Sequence, residues 1–402
     1  MGPILSENSL YKLLYGNLDK LLPESLDWVA YFLSGFVIVF LLANALLLLA
    51  SAFVYMLRRL IGLFQARLGP NRVGPFGLLQ PFADIIKLIL KEDIRPREAD
   101  KFTFNVAPVM MVAPVFILLS VIPFGDKTYL TNINVGLLFI IAVTTISTLA
   151  VFLAGWGSGN RYALIGAVRA VAQLVSYEVP MVLSLVGVII LAGSMSLVGI
   201  VEGQRIPFVV VQPLGFFVFL MAASAEMNWS PFDLLEAESE LTAGFHTEFS
   251  GMKFGLLQLA EMASAVVFSG IITTIFLKGW LNPFLSADAV QVFPSQIWFL
   301  LKLFFVVFIL MWIRATIPRF RIDQVMAFAW KVLFPLAVIN IVVTAPMVML
   351  WPEPTMVQIW TMSGINWGVA IGSILTLSRL LEKNRTAPTN SVRLVRVTEE
   401  VS

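Results

Sequence analysis

Apolar stretches of about 20 residues recur along this chain, and that recurrence restricts its fold more than any other feature. They run from about Trp28 to Leu57, Phe102 to Ile122, Val135 to Ala154, Ser176 to Leu197, Ile206 to Ala225, Phe254 to Leu277, Ile297 to Ile317, Phe328 to Leu350 and Val357 to Leu377. Each is long enough to cross a hydrocarbon core of roughly 30 Å as an α-helix. With 58% hydrophobic and 13% charged residues and a mean hydropathy of +0.87, the chain lies outside the soluble range. The expectation is an all-α polytopic membrane protein, a single membrane domain over 1–402 with about nine transmembrane helices plus amphipathic interface helices. Eight is the alternative, because Pro352 and Pro354 precede the last stretch and Gly364, Gly368 and Gly372 dilute it.

Most of the 27 Lys and Arg fall on one side when the connecting segments are sorted alternately. By the positive-inside rule the N-terminus is outside and the C-terminus cytoplasmic, which calls for an odd number of spans. The segment before Asp27 lacks the pattern of a signal peptide, so the first span is expected to be retained. The first inside loop, 58–102, carries turn chemistry at Gly69-Pro70-Asn71 and Gly74-Pro75, then helical apolar spacing from Phe76 to Leu90. That reads as an amphipathic helix at the interface, with Asp84 and Glu92 on it. The tail, 379–402, is polar. With no cysteine and one histidine, the chain has no ligands for a thiolate-held iron–sulfur cluster or a bis-imidazole haem, and no phosphate-binding loop is present.

The second inside loop, 226–253, concentrates acids: Glu226, Asp233, Glu236, Glu238, Glu240 and Glu248. Carboxylates this crowded make one another harder to ionise. A solvated acidic loop is the plain alternative, but Pro231-Phe232 and Gly244-Phe245 interrupt the acids with apolar residues. Glu178 heads one span and Glu261 lies inside another, where a carboxylate is costly unless paired, hydrated or protonated. Together with Glu226 they suggest stations of a buried polar path. Arg314, Arg319 and Arg321 fit the positive-inside rule without a further role, and His246 reads as an ordinary loop histidine.

Four stretches, PFDLLEAESELTAGFHTEFSGMKF, QARLGPNRVGPFGLLQPFADIIKLILKED, YALIGAVRAVAQLVSYEVP and WIRATIPRFRIDQ, closely resemble the membrane-arm H subunit of respiratory complex I, known as subunit 1 in mitochondria. The resemblance implies a subunit of a proton-translocating NADH:quinone oxidoreductase in the bacterial plasma membrane. It implies a quinone chamber involving Arg58, Asp84, Asp233, Glu236, Glu238 and Glu240, and a proton path through Glu92, Glu178, Glu226, Glu248 and Glu261. No residue is assigned to bond-making catalysis or to a metal. Quinone is the implied substrate, with flavin mononucleotide and iron–sulfur clusters confined to partner subunits. The implied partners are the peripheral-arm quinone-site subunits, neighbouring membrane-arm subunits and membrane lipid, and not nucleic acid. Two positions depart from the family pattern: Leu57 stands where a Glu is usual, and Trp229 where an Arg is usual. The second leaves the carboxylates to be harder to ionise, or to borrow a cation from a neighbouring subunit.

Two other readings of the same acids stand beside this one. Relatives of this family occur in ferredoxin-driven complexes and membrane-bound hydrogenases. A secondary transporter or proton channel is the remaining class, although the paired inverted repeats common in transporters are missing.

Overall fold

The computed structural model describes residues 9–19, 27–233, 243–282, 294–352 and 354–386, and every regular element within them is helical. Helix α1 spans Ser9–Asp19 and α2 spans Asp27–Phe64. At 38 residues α2 is about 57 Å long, well beyond the hydrocarbon thickness, so its last turns carry Arg58 and Arg59 past the apolar layer. Tyr55 Oη donates to the Phe76 carbonyl at 2.9 Å and fastens these turns to the loop that follows.

That loop ends in a tight 3-10 turn over Pro75–Gly77 before α3, Gln80–Leu90. Gly77 is required there: its φ is 80°, and a Cβ would lie 2.3 Å from the Pro70 carbonyl oxygen. Phe76, expected inside the helix, takes φ 54° in that turn, so α3 starts four residues later. The helix ends at Leu90. Lys91 is extended at ψ 137°, which puts Glu92 beyond the helix and not on it, a correction to the sequence reading.

The remaining spans follow in order: α4 Lys101–Leu119, α5 Gly136–Gly157 and α6 Arg161–Ala192. Asp100 caps α4 by accepting from the Thr103 N–H at 3.0 Å, and Asn160 caps α6 by accepting from Tyr162 at 2.9 Å. Two short helices, α7 Leu197–Gly203 and α8 Phe208–Val211, lead into α9 Pro213–Glu226. Then come α10 Gly251–Phe276 and α11 Ser295–Thr316. Helix α12, Ile322–Phe328, passes through a π-helical turn, Ala329–Leu333, into α13 Phe334–Leu350, and α14 spans Met356–Thr386.

Seven of these helical stretches are long and apolar enough to cross a membrane. With α9 and α14 they occupy the nine positions expected from hydropathy. Helix α9 has 14 residues, about 21 Å, because Pro213 has no N–H to continue a helix from Val211 and opens a new one instead. Helix α10 is the axis of the bundle: 89% of its most apolar window is buried, against α2, α3, α4 and α11. Helix α6 packs on α5, α9 and α13. Since successive spans alternate in direction, the ends of α2, α9 and α11 and the starts of α6 and α10 gather with α3 at one end of the bundle.

Candidate functional site

A cavity of about 360 Å³ opens at that end between α2, α3, α10 and α11. Its walls are mostly apolar, including Val54, Leu57, Ile85 and Met262, and Arg58, Asp84, Lys87 and Arg314 supply the charge. Arg58 donates to Asp84, whose other oxygen accepts from Gln80 Nε2 at 3.1 Å. The two side chains are 47% and 31% exposed, so their pair is worth at most about 1 kcal/mol to stability. Its consequence is placement, since it sets one cation and one acid on the cavity wall.

Arg314, on the α11 side of the cavity, faces two ways. It lines the cavity, and its Nη1 donates to Glu261 Oε1 at 3.3 Å. Both partners of this pair are buried, at 14% and 8% exposed, and stripping one charge of such a pair costs about 3–5 kcal/mol. Glu261 in turn lines a second cavity of about 40 Å³, together with Glu226, Asn228, Thr144 and Ser147. That volume suits one or two water molecules and nothing larger.

Glu226 ends α9 as a buried carboxyl group, and neither of its oxygens meets a protein hydrogen-bond partner. Glu178, half-buried midway along α6, is near enough for the two charges to interact. Gln173, on the same helix, donates from Nε2 to the Ala225 and Phe232 carbonyls at 3.1 and 2.8 Å. That amide ties α6 to the end of α9 and to the start of the acidic loop.

The loop's first residues are held by packing and charge. Phe232 is fully buried among Tyr177, Phe320 and Phe328, with ring centroids 5.0 to 6.1 Å away. Asp233 follows, buried, and accepts from Arg319 Nη2 at 2.7 Å. Glu236, Glu238 and Glu240 lie outside the described residues. Glu248, at the loop's far end, accepts from Asn160 Nδ2 at 2.7 Å and braces the turn that starts α6. Glu92 is exposed and lines neither cavity, while its neighbour Asp93 pairs with Lys253 at 2.8 Å.

His246 is buried, with its ring 3.9 Å from that of Phe245 and 5.8 Å from that of Phe254. Burial pushes its pKa down to about 4, so it is neutral at physiological pH. Its role is in packing, which agrees with the plain reading of a loop histidine.

The arginines are where sequence reasoning fell short. Arg314 and Arg319, which the positive-inside rule alone seemed to explain, are the cations of Glu261 and Asp233. Trp229 is 1% exposed, packs on Phe53 with centroids 5.2 Å apart, and has the Arg314 guanidinium 4.8 Å from its ring centroid. Two acids of the site, Glu261 and Asp233, thus have cations from this chain. One signal was available: Arg314 falls within an expected span, as Glu261 does, and the two spans are consecutive.

Similarity to known proteins bears on what this arrangement serves. The family model described as NADH dehydrogenase matches residues 36–345. A protein of Dehalococcoides mccartyi (strain CBDB1) named as the H subunit of NADH-quinone oxidoreductase is 51% identical over 347 residues, covering 86% of this chain and 93% of the relative. The chain belongs to the family of NADH-quinone oxidoreductase H subunits. Members from Brevibacillus brevis and Bacillus cereus are each 47% identical, over 82% of this chain and 98% of their own length. The family match takes in both cavities and the acids that line them, whereas α14 lies beyond the matched residues.

Proposed function

We propose that this chain is the membrane subunit of a proton-translocating NADH:quinone oxidoreductase that forms the membrane side of a quinone chamber and couples quinone reduction to proton movement. The observation that carries the reading is Arg314, which lines the larger cavity and at the same time pairs with Glu261 of the smaller one. A change of charge in the first cavity therefore reaches the acids of the second through a single side chain.

The larger cavity suits a quinone ring: about 360 Å³, apolar walls, and cations at Arg58 and Arg314. Reduction of a quinone takes up two electrons and two protons, and negative charge develops on its oxygens before the protons arrive. Arg58 and Arg314 stabilise that charge. Arg314 drawn towards it leaves Glu261 less compensated, and Glu261 then takes a proton from the side of Glu226 and Glu178. Once the quinone oxygens are protonated and Arg314 returns, Glu261 releases that proton towards neighbouring membrane subunits, and the Glu226 and Glu178 side is reprotonated from the cytoplasm. Asp84 lies one hydrogen bond from Arg58 and offers a proton-carrying group at the chamber wall. Asp233, with Glu236, Glu238 and Glu240 of the same loop, is assigned to the quinone side, and Glu92 and Glu248 to the proton path.

The electron carriers reside elsewhere in the complex. With no cysteine in the chain, flavin mononucleotide and iron–sulfur clusters belong to partner subunits that cover the chamber. The distribution of Lys and Arg supports a cytoplasmic chamber end, an outside N-terminus and a place in a bacterial plasma membrane. The test is replacement of Glu226 and of Glu178 by Gln in the assembled complex. Each should lower proton pumping and coupled quinone reductase activity by at least about tenfold, in line with a residue the proton must pass. Unchanged rates for both variants would remove the path.

A further inference from the structure

The two positions at which this chain departs from its family pattern fall in one place. Leu57 and Trp229 are both buried in the apolar cluster that contains Phe53, and Leu57 lines the larger cavity beside Arg58 and Arg314. The Trp229 ring lies against both the Arg314 guanidinium and the Phe53 ring. Its Nε1 has no hydrogen-bond partner among the described residues.

We propose that Trp229 is a positioning residue for Arg314, its indole face holding the guanidinium at the junction of the two cavities while leaving it free to exchange partners. A π face attracts a cation without fixing its orientation and without offering a site for a proton. A carboxylate in the same position would neutralise Arg314 and compete with Glu261, and a second cation would repel it. On the indole the guanidinium keeps its full charge and can turn between Glu261 and the larger cavity. The titratable and charged groups around it are Glu261 of α10, Glu226 at the end of α9, Glu178 of α6, Arg58 of α2, and Asp84 and Lys87 of α3. Leu57 keeps the α2 side of the junction apolar, and Glu261 is an acid that Arg314 meets there. The inference rests on the proposed coupling role of Arg314 but concerns a residue outside the acid path itself.

The test compares Trp229→Phe, which keeps a ring, with Trp229→Met, which fills space without one, in the assembled complex in proteoliposomes. Trp229→Phe should stay within about twofold of the parent quinone reductase rate with the same pH profile. Trp229→Met should lose at least about fivefold and move the pH–rate profile by roughly half a unit, at equal amounts of assembled complex. If Trp229→Met does not assemble, Trp229→Leu takes its place. A cycle combining whichever of these ring-less variants assembles with Arg314→Lys reads the same contact, since a stacked pair gives non-additive losses. Matching rates and profiles for the Phe and Met variants, or strict additivity in the cycle, would overturn the role given to Trp229. Glu226→Gln, assayed alongside, separates the two readings. Pumping that survives Glu226→Gln removes the proton path, whereas pumping lost there with indifferent Trp229 variants leaves the path and removes the positioning role.

Discussion

At the scale of single residues, His246 shows what a buried titratable group does when it has no charge partner to compensate it. Its pKa of about 4 in the fold lies below the value near 6.5 expected of an unfolded chain. Between those values the unfolded loop binds a proton that the folded loop does not. Stability is thus fully present above about pH 6.5 and is lost as pH falls towards 4, by up to about 3 kcal/mol in all. Amide exchange over 244–250 in nanodiscs, corrected for the intrinsic rate, should show the opening free energy falling through that window. His246→Phe should flatten the dependence, because a phenyl ring keeps the contacts with Phe245 and Phe254 and cannot be protonated. A dependence that persists in that variant would assign the effect to another group. Nothing in the sequence marked this residue beyond its being the only histidine; its burial follows from Phe245 and Phe254, which close on it from two elements.

At the scale of elements, α10 and α11 form an antiparallel pair that is pinned differently at its two ends. At one end Lys302 Nζ donates to the carbonyls of Leu277, Gly279 and Leu281, at 2.8, 2.7 and 2.5 Å. Those carbonyls belong to the turn that closes α10, where a cation also complements the helix dipole. Lys302→Met would leave the carbonyls without this donor inside an apolar surround. A loss of about 2–4 kcal/mol is expected, from charged hydrogen bonds of roughly 1.5–3 kcal/mol each, partly recovered as the turn relaxes. Reversible denaturant unfolding in detergent reads it directly, and Lys302→Gln should recover part. The positions of both helices were legible in the apolar runs, and Lys302 stood out as a charge within a span. Its partners were not legible, because three carbonyls of a turn carry no side-chain signature. The same limit explains α9: hydropathy located the apolar run but did not show that Pro213 would restart the helix and leave only 14 residues after it.

At the scale of the whole molecule, charge at the site end is arranged as neighbouring opposites: Arg58 with Asp84, Arg319 with Asp233 and Arg314 with Glu261. The acids were legible from sequence because acids among apolar residues are unusual, whereas the arginines were hidden by a topology rule that already explained them. Pairing makes a prediction that separates architecture from function. Arg314→Gln alone leaves the Glu261 carboxylate buried without that cation, and Glu261→Gln alone takes that acid from the guanidinium; each should cost about 3–5 kcal/mol and reduce the amount of assembled complex. The double variant removes both charges, so its stability should return to within about 1–2 kcal/mol of the parent. Coupled proton pumping should not return with it, because the side chain that spans the two cavities is still missing. Thermal unfolding and pumping measured on the three variants side by side check both halves. If stability and pumping recover together in the double variant, Arg314 serves only to balance charge, and the coupling between the cavities must run through another residue.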